Sequence, residues 1–321
     1  MLKGREKNLN PDGWKSLLIE CRLCPRACGV DRLAGERGFC QAGALSAVAK
    51  ACLHYWEEPP ISGTKGSGTV FFSHCNLRCA FCQNHPISQG GVGLEVSVER
   101  LAEIFWEQQA RGAHNLNLVS PTHYLPQVGE ALELARAQGL GIPVIWNSNG
   151  YESVEALGRL DGLVDVYLPD FKYAEAGLAA RLSGAGDYPL RAAAAIREMV
   201  RQVGETQFDG NGLVRRGVIL RHLVLPGEAE NTRAVLDWVR NNLPSGVYVS
   251  LMAQYTPAHL TAEPDAARRF GALSRALLPR EYEEAVDYFL AIGLENGFAQ
   301  ELDSATLAYT PSFDLDGVGQ P

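Results

Sequence analysis

The chain has 321 residues, 46% of them hydrophobic, and a formal net charge of −8. That length supports one large α/β domain, or one domain with a small appendage, and the acidic balance argues against broad attraction to nucleic acid. The N-terminus MLKGREKNLNPDGW lacks a signal-peptide apolar run and no stretch approaches a membrane span, so the chain reads as a cytoplasmic protein without a membrane partner.

In a reducing compartment, grouped cysteines read as metal ligands rather than disulfides. The first group opens the chain: Cys21, Cys24, Cys28 and Cys40 form CxxCxxxCx11C, interrupted by Pro25, Arg26, Gly29, Gly35 and Gly38, which suit tight turns around a metal. Four thiolates close a coordination shell, so this site reads as structural or electron-relaying, and its spacing fits zinc and a second iron-sulfur cluster alike. Cys52, near His54, stands apart; it is an alternative to Cys40 as fourth ligand, or a small buried hydrophobe. We read 1–62 as a Cys-rich extension, 63–300 as the main domain after the turn-rich run Gly63-Thr64-Lys65-Gly66-Ser67-Gly68, and 301–321 as a tail.

From Gly68 onward, short apolar β-branched runs alternate with helical segments. Strands are predicted over Gly68–Ser73, Asn115–Ser120, Pro143–Asn147, Val164–Leu168, Gly217–Leu225 and Val247–Met252. Helices are predicted over Val98–Arg111, Gln127–Gln138, Tyr151–Leu160, Leu190–Val203, Thr232–Asn242 and Arg280–Leu294. Six βα units predict a partial (β/α)6 barrel with function at the strand ends. A doubly wound sheet fits the same alternation.

The first of these strands runs into Cys75, Cys79 and Cys82, a CxxxCxxC loop. Three such thiolates can hold three irons of a [4Fe-4S] cluster and leave the fourth iron open, whereas an electron-transfer cluster normally takes four. A rival reading completes a zinc tetrahedron with a nitrogen of His74 or His85, and makes the chain a non-catalytic interaction module.

The run SHCNLRCAFCQN, Ser73 to Asn84, resembles the signature of radical S-adenosylmethionine (SAM) enzymes, with the aromatic Phe81 before the last cysteine. Its Cys-Gln-Asn ending is similar to the branch related to pyruvate formate-lyase activating enzyme, and CRLCPRACGVDRLAGERGFC resembles the PflX-like group within it. The resemblance implies a cluster on Cys75, Cys79 and Cys82 that reductively cleaves SAM to a 5′-deoxyadenosyl radical for hydrogen-atom abstraction. It further implies a flavodoxin or ferredoxin electron donor, and as substrate a glycyl radical enzyme, another macromolecule or a metabolite.

The resemblance also places Phe81 and Asn84 at the cofactor, and the later strand ends supply its other candidates. Ser120-Pro121-Thr122-His123 stands where the family often has Gly-Gly-Glu, leaving the hydroxyls of Ser120 and Thr122 as acceptors for the methionine amino group. Asn147-Ser148-Asn149-Gly150 resembles the Asp-Thr-Asn-Gly of activating enzymes, with Asn147 in place of an acid that belongs to a cation site there. Pro169-Asp170-Phe171-Lys172 resembles the Asp-Leu-Lys element, in which Lys172 pairs with the SAM carboxylate and Asp170 holds it or a cation. Arg221 and His222, set in an apolar run, are read as facing the polar barrel interior, and Gln254-Tyr255 as lining the adenine or substrate region.

Overall fold

The computed structural model describes residues 13–257, 260, 265–302 and 310–319. Ten strands build the sheet: β1 (Ser46–His54), β2 (Ser67–Phe72), β3 (Leu94–Val96), β4 (Leu116–Val119), β5 (Val144–Ser148), β6 (Val166–Pro169), β7 (Gln207–Phe208), β8 (Val214–Leu223), β9 (Tyr248–Met252) and β10 (Gly297–Ala299). Their order is β10-β9-β8-β6-β5-β4-β2-β1-β3, with β7 paired to β8 off this path.

From β2 to β10 every neighbour on that path is parallel and follows in chain order. A doubly wound sheet returns to its middle and reverses. This sheet does neither, so the alternation resolves to an open, partial barrel. The six predicted parallel strands are present, and β2, β4, β5 and β6 are buried at every position, as strands covered on both faces must be.

The predicted helices appear at Val98–Ala110, Leu125–Ala137, Val154–Gly158, Tyr188–Val203, Ala229–Asn242 and Pro279–Ala291. Local chemistry starts two of them: the side chains of Ser97 and Ser153 accept from the amides of Arg100 and Ala156. Among the described residues no helix is long and apolar enough to cross a membrane.

Beyond β2 the sheet continues in antiparallel β1 and β3. β1 belongs by sequence to the Cys-rich extension, yet it lies in the main sheet. The tail is fastened there too: the amide of Leu315 donates to Ala49 O at 3.1 Å, that of Ala51 donates to Asp316 O at 2.9 Å, and Lys50 pairs with Asp314 at 2.6 Å.

Strand periodicity decides what faces the barrel interior. Ile145, Val166, Leu168 and Ile219 pack together with Ile61 inside the sheet, whereas Trp146, Tyr167 and Leu220 join the large core under the helices. Successive side chains alternate, so Asn147, Asp170 and Arg221 continue the inward set. Their neighbours point the other way.

Candidate functional site

The polar strand ends surround one cavity of about 210 Å³. Cys75, Cys79 and Cys82 line it, with Phe81 and Asn84 from the same loop. Ser120, Asn147, Asn149, Asp170, Lys172 and Arg221 line it from the ends of four successive parallel strands, and Gln254 follows β9. Sites scattered over about 180 residues of sequence thus converge at one end of the sheet.

The backbone is strained where the loop and β4 enter the site. His74 and Ser120 have φ of 71° and 57°, a region that costs non-glycine residues about 1–3 kcal/mol and persists only where surroundings over-determine it. The amide of Ser120 donates to Asn147 O at 2.8 Å, and that of His74 to Ile87 O at 2.8 Å. Gly150 has φ of 75°, and a Cβ there would lie 2.5 Å from Asp170 O. The Asn-Gly pair is therefore a close crossing of two strand ends as well as a turn.

All eight cysteines are unbridged. The three in the cavity have donors on their sulfurs: Leu77 N and Asn149 Nδ2 reach Cys75 Sγ at 3.4 Å each, and Ser183 Oγ reaches Cys79 Sγ at 3.0 Å. Ser88 Oγ lies 3.2 Å from Cys82 Sγ. Burial, and then the proximity of Cys79, push the thiols of Cys75 and Cys82 up to about 12 and about 11. Burial also raises Cys79, partly offset by Lys172. Such thiols ionise when a metal takes the proton's place. Three sulfurs with N–H and O–H donors therefore fit an anionic iron-sulfur centre. Among the described residues no three His, Cys, Asp or Glu side chains form a ready single-ion site.

Opposite the thiols, Lys172 Nζ donates to Asp170 Oδ2 at 2.5 Å, both side chains being largely buried. Burial works against the lysine charge, and Asp170 with Cys79 outweighs it, holding the ammonium above its ordinary value. Tyr188 fixes this strand end: its hydroxyl lies 2.9 Å from the carbonyls of both Asn149 and Asp170 and accepts from Lys172 N at 3.0 Å.

Arg221 reaches Glu57 Oε2 and Glu58 Oε1 at 3.3 Å each and donates to Asn147 Oδ1 at 3.3 Å. Burial opposes its charge, while Glu58, Glu57 and Asp170 more than offset that. Glu57 lines the cavity and accepts from Asn117 Nδ2 at 2.9 Å. Its role is not legible in the sequence, since a loop residue before β2 carries no signal that it will meet β8 inside the barrel.

Two predicted residues stand elsewhere. His222 is fully buried and follows Arg221 on β8, so it faces the helices: its Nδ1 lies 2.8 Å from Phe171 O and its Nε2 3.0 Å from Thr232 Oγ1. Burial lowers it to about 4, and it is a satisfied core histidine. Thr122 donates to Glu152 Oε1 at 2.9 Å. That carboxylate also accepts from Trp146 Nε1 at 2.7 Å and Ser148 Oγ at 2.8 Å, so Thr122 helps tie β4 to β5 beneath the cavity. Glu152 and Tyr188 are organising residues that sequence reading missed.

A model of the radical SAM superfamily matches residues 69–239, which begin in β2 and contain the cysteine loop and the next four parallel strands. The chain belongs to the radical SAM superfamily. It is 31% identical over 285 residues to the uncharacterized protein MJ0674 of Methanocaldococcus jannaschii, covering 85% of this chain and 75% of that one. A second protein of that organism, MJ0808, is 30% identical over 159 residues, 44% of this chain and 46% of the relative. Among solved structures it is similar to Streptococcus suis SuiB bound to the precursor peptide SuiA, with a TM-score of 0.50 at 16% identity. That match covers 72% of this chain but 48% of SuiB, so the chain spans about half its length, and the likeness is one of fold. Membership in the superfamily implies a [4Fe-4S] cluster and SAM, and makes this radical SAM protein an enzyme. The interaction-module alternative gives way to that.

Proposed function

We propose that Cys75, Cys79 and Cys82 hold the cluster and leave one iron open to SAM within the barrel-end cavity. When bound, cluster and SAM supply a 5′-deoxyadenosyl radical that takes a hydrogen atom from the substrate. The observation that carries this reading is the convergence of the three thiols with Asp170 and Lys172 on one cavity.

The residues around it then have distinct work. Leu77 N, Asn149, Ser183 and Ser88 stabilise negative charge on the three sulfurs. Lys172, held by Asp170, pairs with the SAM carboxylate as a point charge. The hydroxyl of Ser120 and the amide oxygen of Asn147 offer acceptors for the amino group. Phe81, packed against Tyr255 at 6.0 Å between ring centroids, closes the apolar side and keeps water out. Asn147 in place of an acid lowers the negative charge available to a cation, and Asp170 is already paired.

For the substrate, the likeness of Cys82-Gln83-Asn84 to activating enzymes supports a glycyl radical enzyme as hydrogen donor, and a flavodoxin or ferredoxin as electron source. Both stand on that sequence likeness. The site itself is tested by electron paramagnetic resonance of the anaerobically reconstituted, reduced protein. Added SAM is expected to change the cluster signal; a signal identical with and without SAM would overturn the open iron.

A further inference from the structure

The N-terminal cysteines lie outside the cavity and have no part in that chemistry. Cys21, Cys24 and Cys40 are 4%, 8% and 5% exposed, and Cys28 closes the group from the surface side. A Cβ on Gly38 would lie 2.8 Å from Cys28 Sγ, so glycine makes room for that sulfur.

Arg32 enters this group. It is 3% exposed, and its Nη2 donates to Cys21 Sγ at 3.0 Å and Cys40 Sγ at 3.6 Å. Nη1 donates to His123 O at 2.5 Å, while Nε is buried without a partner. Among the described residues no carboxylate pairs with Arg32. A buried guanidinium needs a counter-charge, and neutral thiols supply none. Thiolates on a metal do.

We propose that Cys21, Cys24, Cys28 and Cys40 form a second, fully thiolate-ligated metal centre with Arg32 as its buried counter-ion. Zinc and a four-iron cluster share this ligand set.

The centre also braces the loop of Cys75, Cys79 and Cys82, a role that rests on the function proposed above. Arg26 Nε donates to Asn76 O at 3.1 Å and Arg78 Nη2 to Phe39 O at 2.7 Å. Both guanidinium groups stand over the Phe39 ring, 3.8 and 4.7 Å from its centroid. Arg32 holds the backbone of His123, whose Nε2 donates to Ser73 O at 2.8 Å. Three arginines therefore join the metal loop to the start of the catalytic loop.

The test counts iron, acid-labile sulfide and zinc in the anaerobically purified full chain and in a Cys75→Ala/Cys79→Ala/Cys82→Ala variant. The expected wild-type content is about eight irons, or about four irons and one zinc, per chain. The triple variant should keep about four irons or one zinc, whatever the fate of the cavity site. Cys24→Ser/Cys40→Ser should lose the second metal and keep about four irons; should it not fold, the first two proteins decide. Wild type with about four irons and no zinc, or a folded triple variant with no metal, overturns the centre. Arg32→Met is expected to lose the second metal to a chelator about tenfold faster. For the brace, the remaining cluster of Cys24→Ser/Cys40→Ser should bleach several-fold faster under chelator, and an unchanged rate overturns that role.

Discussion

Asn149 donates to the sulfur of Cys75 at 3.4 Å, so the end of β5 is bonded to the loop after β2. The same amide nitrogen donates to Asn76 Oδ1 at 2.8 Å, while Asn149 Oδ1 accepts from Tyr151 N at 2.9 Å, which fixes the orientation of the amide. An amide aimed at a ligand sulfur both positions the loop and tunes the charge on it.

Replacing Asn149 by Ala should therefore lower the midpoint potential of the cluster, because a donor that favours the more negative, reduced form is gone. A redox titration followed by paramagnetic resonance reads the shift. The chain should also lose about 1–3 kcal/mol of stability from the unsatisfied Asn76 and Tyr151 groups. An unchanged potential would remove Asn149 from the cluster's surroundings.

Lys172→Met removes the salt-bridge partner of the largely buried Asp170 carboxylate, a change that costs about 3–5 kcal/mol where a buried pair is broken. SAM binding should weaken about tenfold or more, equivalent to about 1.4 kcal/mol. Because instability alone could weaken binding, Asp170→Leu/Lys172→Met supplies the control: stability recovers with both charges removed, and SAM affinity does not. Recovery of affinity in the double variant would make the pair purely structural.

At Gly150, substitution by Ala places a Cβ against Asp170 O and demands a left-handed backbone from a residue that resists it. The expected loss is about 1–3 kcal/mol, with weaker SAM binding because Asp170 must move. Thermal denaturation and equilibrium dialysis read the two effects.

For His222, the buried neutral ring sits below its ordinary value of 6.5, at about 4. Protonation is favoured in the unfolded chain between these values, so this group's contribution is fully present above about pH 6.5 and falls away as the pH drops toward 4. His222→Gln should flatten that part of the stability profile and leave SAM affinity little changed. A variant that unfolds no more easily but fails to bind SAM would restore His222 to the cavity.

The contrast between Arg221 and His222 shows what the sequence disclosed and where it stopped. Period-2 alternation sends the side chains of adjacent strand residues to opposite faces, and that rule separates Arg221 in the cavity from His222 under the helices. The parallel strands were legible because β-branched apolar runs buried on both faces have few other uses. β1 was not: Ser46–His54 reads SAVAKACLH, alanine-rich with a lysine at its centre, and the distant Asp314 pairs with the buried Lys50. The cysteines and polar strand ends could be read directly. Glu57, Glu152 and Tyr188 could not, because Glu57 meets Arg221, Glu152 meets Thr122 and Tyr188 meets the Asp170 carbonyl through the folded sheet.

Cleavage of SAM by one-electron reduction in this cavity is read directly from its products. Anaerobically reconstituted protein, given SAM and dithionite, should release 5′-deoxyadenosine and methionine in equal amounts, and Cys79→Ala should release neither. An intact, reducible cluster that binds SAM and yields no deoxyadenosine would contradict it.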